Sequence, residues 1–222
     1  MKHPQNRTLP KIGTVDSYRH LWLLGVWLVY FGLFILAEHL VTENYWVSYL
    51  PLDDKIPFCE WFVLPYCTWH PLLAVFTLYL AFYDRDAFIH FMLFIGIGFI
   101  GTIVFCMLFP NGQDLRPASF AHENFCTWLL RRVYAADTNT NVIPSMHVIG
   151  CAAMTCACFE SRPLRNHGLQ WVMLPLGLLI SISTVFVKQH SILDFFVAIP
   201  VSAAVAAAVY LPKWNWLRKL VC

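Results

Sequence analysis

The residues of this chain that could do chemistry fall in three short stretches. In Ser183–Asp194, read STVFVKQHSILD, His190 and Asp194 are four apart. At a helix start that spacing puts them on one face. A carboxylate on one imidazole nitrogen fixes the tautomer and leaves the other nitrogen as nucleophile or base. The same pair also reads as an acid in a first helical turn, favoured by the dipole. Pro144-Ser145-Met146-His147 offers a serine N-cap, first-turn N–H groups suited to phosphate, and a histidine beside them. It reads equally as a capped helix with an interfacial histidine. Arg116–Pro117 lies in a polar loop, where an arginine is ordinarily a solvated charge. Lys188 stands where one apolar run ends, a costly place for an unpartnered cation. Together these residues supply donors for non-bridging oxygens, an in-line nucleophile and an acid for a leaving group. Those are the requirements of phosphoryl transfer.

The elements that must hold them are membrane helices. The chain has 222 residues, 59% hydrophobic and 13% charged. Its mean hydropathy is +0.58. A soluble domain carries about a quarter charged residues, so an integral membrane protein of one domain, 1–222, is expected. A net charge of +2, with no basic run, gives no reason to expect nucleic acid as a partner. A span needs about 20 apolar residues. Six candidates follow: Leu21–Leu40, Pro65–Tyr83, Ala87–Phe109, Ser145–Glu160, Gly168–Val187 and His190–Leu211. Pro65 and Pro71 are expected to bend the start of the second. Phe58–Leu64 reads as a re-entrant or interfacial piece within an acidic loop. Asn124–Ala135 reads as a surface helix with Phe125, Trp128, Leu129 and Val133 on its apolar face and Arg131 and Arg132 off it. The expected fold is thus all-α, a six-transmembrane-helix bundle with a short extracytoplasmic interfacial helix.

Six spans put both termini on one side. Lys2, Arg7, Lys11, Arg19, Arg85, Arg162, Arg165, Lys213, Arg218 and Lys219 fall on that side. Lys55, Arg116, Arg131, Arg132 and Lys188 fall on the other. The richer side is cytoplasmic by the positive-inside rule, so Arg116, Ser145 and His190 are expected on the extracytoplasmic face. Ser145–Glu160 has 16 residues, about 24 Å of helix against about 30 Å of hydrocarbon. Its Ser145 end is therefore expected below the membrane surface. The N-terminal apolar run is long enough to span and has no small-residue cleavage site, so no cleavable signal is expected. Eight cysteines lie mostly in apolar runs without metal-ligand spacing. Cys59 and Cys67 can pair only if their loop faces an oxidising compartment.

The three stretches resemble the motifs of the type-2 phosphatidic acid phosphatase superfamily, KxxxxxxRP, PSGH and SRxxxxxHxxxD. The first survives as Leu115-Arg116-Pro117, the second as Pro144-Ser145-Met146-His147, and the third as Ser183-Thr184 followed by His190 and Asp194 at the family spacing. The resemblance covers 109–211, about half the chain. It implies that His190 attacks phosphorus and becomes a phosphohistidine, that Asp194 orients it, and that His147 protonates the leaving oxygen. It implies Arg116, Lys188 and Ser145 as phosphate ligands, a lipid phosphate as substrate, and neither metal nor other cofactor. Two departures stand out: Phe109 replaces the family lysine and Thr184 the family arginine. The form PSxH with ST…KQHxxxD looks like the branch that includes inositol-phosphorylceramide synthases, which move a phosphorylated head group between lipids. Hydrolysis is the first expectation and lipid-to-lipid transfer the second.

Two rivals belong to other classes. His147, His190 and Asp194 could ligate a metal in an intramembrane hydrolase, though Arg116 and Lys188 would repel the ion. A transporter or lipid-binding protein with a degenerate site would show no turnover. Glu60 reads as an interfacial carboxylate and His70 as a helix-packing histidine.

Overall fold

The computed structural model describes residues 15–212. Lys2, Arg7, Lys11, Lys213, Arg218 and Lys219, which weigh in the orientation argument, lie outside the described residues. The protein is mostly helical. A 3₁₀ stretch, Val15–Leu24, runs into α1 (Gly25–Leu40). A short loop holds β1 (Trp46–Val47), and a single 3₁₀ turn, Glu60–Phe62, leads into α2 (Val63–Tyr83). The next apolar rod is α3 (Arg85–Ile95), a π-turn at Gly96–Ile100, and α4 (Gly101–Leu108). Then come β2 (Asn111–Gly112), α5 (Phe125–Ala136), α6 (Met146–Glu160), the short α7 (Arg162–Asn166), α8 (Leu169–Phe186) and α9 (Ile192–Tyr210).

Among the described residues, five helices are long and apolar enough to cross a membrane: Tyr18–Leu40, Glu60–Tyr83, Arg85–Leu108, Leu169–Phe186 and Ile192–Tyr210. Their limits lie within a few residues of the expected ones. Leu28, Val75, Phe82, Leu108 and Trp171 are exposed on these rods, as side chains facing lipid would be. The fourth expected span, Ser145–Glu160, differs. At 15 residues α6 is apolar but short, about 22 Å long. It is also largely enclosed, packed by α2, α3, α8 and α9. Nine of its residues, from His147 to Cys158, are buried. Small residues allow this: a Cβ at Gly150 would come within 2.8 Å of Trp69 Nε1.

Phe58–Leu64, expected as a re-entrant or interfacial piece, runs through the 3₁₀ turn Glu60–Phe62 straight into the first residues of α2. Helix α5 forms where expected, closed by a capping box between Asn124 and Thr127. The apolar face named from the sequence is not the face that packs inward. Cys126, Thr127 and Leu130 are buried, with Leu129 and Val133 partly so. Phe125 and Trp128 are 66% and 51% exposed and stack on each other. The larger apolar side chains face outward here because an outward surface of a membrane protein need not be polar. Cys59 and Cys67 are both free.

The helix ends define two ends of the bundle. At one, Ser161 Oγ donates to Asp84 Oδ2 at 2.8 Å and His90 meets Glu160 at 2.5 Å. These contacts tie the end of α6 to the α2–α3 corner. At the other end lie the starts of α2, α6 and α9 and the end of α8, where the candidate residues collect.

Candidate active site

The tight turn between α8 and α9 presents His190. The Thr184 carbonyl accepts from the N–H groups of Gln189 and His190, at 2.9 and 3.2 Å. Lys188 takes a left-handed backbone, φ +54°, uncommon outside glycine and asparagine. Ser191 caps α9, and Asp194, three residues on, completes a capping box. The acid of the first turn is therefore both a cap and a partner of His190. Asp194 Oδ2 receives His190 Nδ1 at 3.1 Å and the Ser191 N–H at 3.0 Å. Ser48 Oγ donates to Asp194 Oδ1. With Nδ1–H on the carboxylate, the other ring nitrogen, Nε2, keeps its lone pair.

Helix α6 starts against this turn: the Ser145 N–H donates to the Asp194 carbonyl at 3.2 Å. The second and third sequence motifs are thus joined directly. His147 lies in the first turn of α6, its ring edge-on to that of His190 with centroids 5.6 Å apart. Trp69 and Tyr66 pack against the same imidazole at 4.2 and 4.6 Å. Both ring nitrogens of His147, Ser145 Oγ and Arg116 Nε are buried without a hydrogen-bond partner. A buried polar atom left unpaired costs about 1–3 kcal/mol. Of the residues that carry these four atoms, His147 lines the cavity described below.

The two cations go elsewhere. Lys188 is buried, and its Nζ donates to the carbonyls of Asp53 and Ile56 at 3.0 and 2.7 Å. The ammonium expected among the phosphate ligands thus spends two of its three donors on loop carbonyls. Burial lowers its pKa, with Asp53 and Asp54 opposing. Arg116 lies over the Tyr134 ring at 4.5 Å and donates to the carbonyls of Tyr134, Asp137 and Thr138. Most of its donors close the end of α5. Nε is the one guanidinium nitrogen without a bond, and burial lowers the pKa of this group, which stays charged.

A cavity of about 650 Å³ opens onto His190, His147, Gln189 and Asp137 and descends between α1 and α2. Trp27, Tyr30, Phe31 and Phe34 line one wall, and Leu73, Ala74, Thr77 and Leu78 the other. From Tyr66 to Leu78 it follows α2 for about 18 Å. His70 lies on this wall too, so it is exposed to the cavity rather than packed between helices. Neither Arg116, Ser145 nor Lys188 lines the cavity. Asp137 Oδ2 accepts from Gln189 Nε2 at 3.0 Å. Burial, with Glu38 near, pushes the Asp137 carboxyl up to about 6, against the pull of His190 and Arg116.

Sequence reasoning missed Ser48, Asp53, Tyr66, Trp69, Gln189 and Asp137. Asp53 is buried, and its carboxylate accepts from Ser191 Oγ at 2.6 Å, the Ile192 N–H at 2.8 Å and the Leu50 N–H at 2.9 Å. Gln189 adjoins His190 in the chain and carried a positional signal; the others carried none. Glu60 contacts Asn124 at 3.2 Å, away from the cavity. Among the described residues, no group of three or more His, Cys, Asp or Glu side chains is arranged to hold a metal ion. Compared with known proteins, the chain matches no family model, no curated protein and no solved structure.

Proposed function

We propose that this chain is an integral membrane phosphohydrolase that removes phosphate from a lipid phosphate through a phosphohistidine, in the manner of the type-2 phosphatidic acid phosphatase superfamily. The observation that carries the reading is the His190–Asp194 pair, facing His147 at the polar end of a long apolar cavity. His190 Nε2 attacks phosphorus, and the bond from phosphorus to the lipid oxygen breaks. His147 gives that oxygen a proton. Asp194 stabilises the charge that develops on His190. Ser145 Oγ and Arg116 Nε, buried and unpaired behind the cavity wall, are the candidates for phosphoryl oxygens in this reading. Water, activated by the now neutral His147, attacks the phosphohistidine and releases phosphate. The acyl chains lie along the α1–α2 cavity. A six-span arrangement, with the termini cytoplasmic and the site on the opposite face, belongs to this reading. It is supported by the Lys and Arg distribution and by α6 running from the site to the Asp84 corner.

One observation favours transfer of a phosphorylated head group between lipids instead. The polar end of the cavity carries the Asp137 carboxylate and neither of the expected cations. A dianionic monoester is repelled there more than a monoanionic diester. One assay separates the readings: phosphate release and product lipids from several lipid phosphates and phosphodiesters, with and without EDTA, for wild type and His190→Ala. Phosphate release that survives EDTA and vanishes in His190→Ala is the expected result. A new phospholipid without free phosphate favours transfer, loss on chelation favours a metal site, and full activity in His190→Ala sinks the mechanism.

A further inference from the structure

Asp194 is fully buried and ends in two oxygens that must both be satisfied. Oδ2 is taken by His190 and the Ser191 N–H. Oδ1 is taken by a residue from outside every motif, Ser48, 146 positions earlier in the chain. Ser48 is itself fully buried and does not line the cavity. Its place is fixed by the two short strands: β1 pairs in parallel with β2, and the Ser48 N–H donates to the Gly112 carbonyl at 2.7 Å. Gln113, next in line, donates from Nε2 to the Lys188 carbonyl at 3.0 Å. The same loop reaches the turn again through Asp53, on Ser191 and Ile192, and is gripped in return by Lys188 Nζ. Loop and turn thus clamp each other.

We propose that Ser48 is a positioning residue for phosphoryl transfer, holding the Asp194 carboxylate in the orientation that receives His190 Nδ1–H. The inference rests on the functional reading above. Ser48 acts through Asp194 and touches no substrate. Without its hydroxyl, Oδ1 is a buried anionic oxygen with no donor, and the carboxylate rotates or takes a proton. Either change loosens His190.

The test compares Ser48→Ala, Ser48→Thr and Ser48→Val in the full chain in detergent, with phosphatidic acid as probe. A hydrogen bond to a charged group supports a loss of about tenfold in kcat for Ser48→Ala. KM should stay within about twofold, because Ser48 lies off the cavity, and a purely structural lesion would not separate the two constants. Threonine and valine have the same bulk, so a higher kcat for Ser48→Thr than for Ser48→Val isolates the hydroxyl. A second readout needs no turnover. In histidine-labelled protein, the low-field Nδ1 proton of His190 should move upfield in Ser48→Ala and Ser48→Val and hold in Ser48→Thr. Equal kcat for the threonine and valine variants, or an unmoved His190 proton in Ser48→Ala, overturns the proposal. If His190→Ala is inactive while Ser48→Ala behaves as wild type, only the role of Ser48 fails. If His190→Ala stays active, the functional reading fails.

Discussion

The two halves of the candidate site are built differently. On the α9 side, Asp194, Asp53, Ser191 and Lys188 have their polar groups engaged, and Gln189 Oε1 beside them is unpaired. On the α6 side, Ser145 Oγ and both nitrogens of His147 are buried and unpaired. The first half spends its hydrogen bonds on holding a nucleophile still; the second keeps them for something else. A saturated network rigidifies, whereas an unsaturated one costs stability and gains from a ligand. Mutations in the two halves should therefore move stability and activity in different combinations.

The largest expected effect comes from breaking the saturated half at its centre. Asp194→Ala strands Ser48, the Ser191 N–H and His190 at once. Activity should fall by about 10³–10⁴, and thermal unfolding in detergent should show a loss of about 3–5 kcal/mol. A stable variant with near-normal turnover would undo the comparison. In the other half, His147→Gln should lower kcat by about 10²–10⁴ with Tm nearly unchanged, read from paired rate and melting measurements. Ser145→Ala sharpens the contrast. Activity should drop about tenfold while stability holds or rises by about 1 kcal/mol, since a buried unpaired hydroxyl is removed. Asp53→Asn should do the reverse, costing about 1–2 kcal/mol with a smaller loss of rate.

The smallest effect lies at the rim between the halves. The Asp137 carboxyl stands at about 6 in the fold against an ordinary 3.8. The folded protein holds this proton more tightly than the unfolded chain does. Its stabilising contribution is full below the ordinary value and is lost as pH rises through about 6. Asp137→Asn should flatten that slope and leave Tm at neutral pH higher by about 1–3 °C. Melting curves across the acid range check it, and an unchanged slope would remove Asp137 from the balance.

Much of the architecture was legible because hydropathy is local. The five long rods appear in the chain as apolar runs of the right length, and their ends moved by only a few residues. The pairing of His190 with Asp194 was legible for the same reason, being one helical turn apart. Lys188 was not. Its type and position suggested a phosphate cation, but a left-handed backbone and two loop carbonyls decide where it points. Which face of α5 packs inward was not legible, because Phe125 and Trp128 are apolar whether they meet core or lipid.

By itself, then, the sequence determined the membrane character, the helices and the local pairs, through hydropathy and the 3.6-residue turn. Only the tertiary structure decided which loop closes over the nucleophile turn. Ser48 and Asp53 lie 146 and 138 residues from the groups they hold. No periodicity reaches that far: a buried carboxylate takes whichever donor the packed helices bring to it.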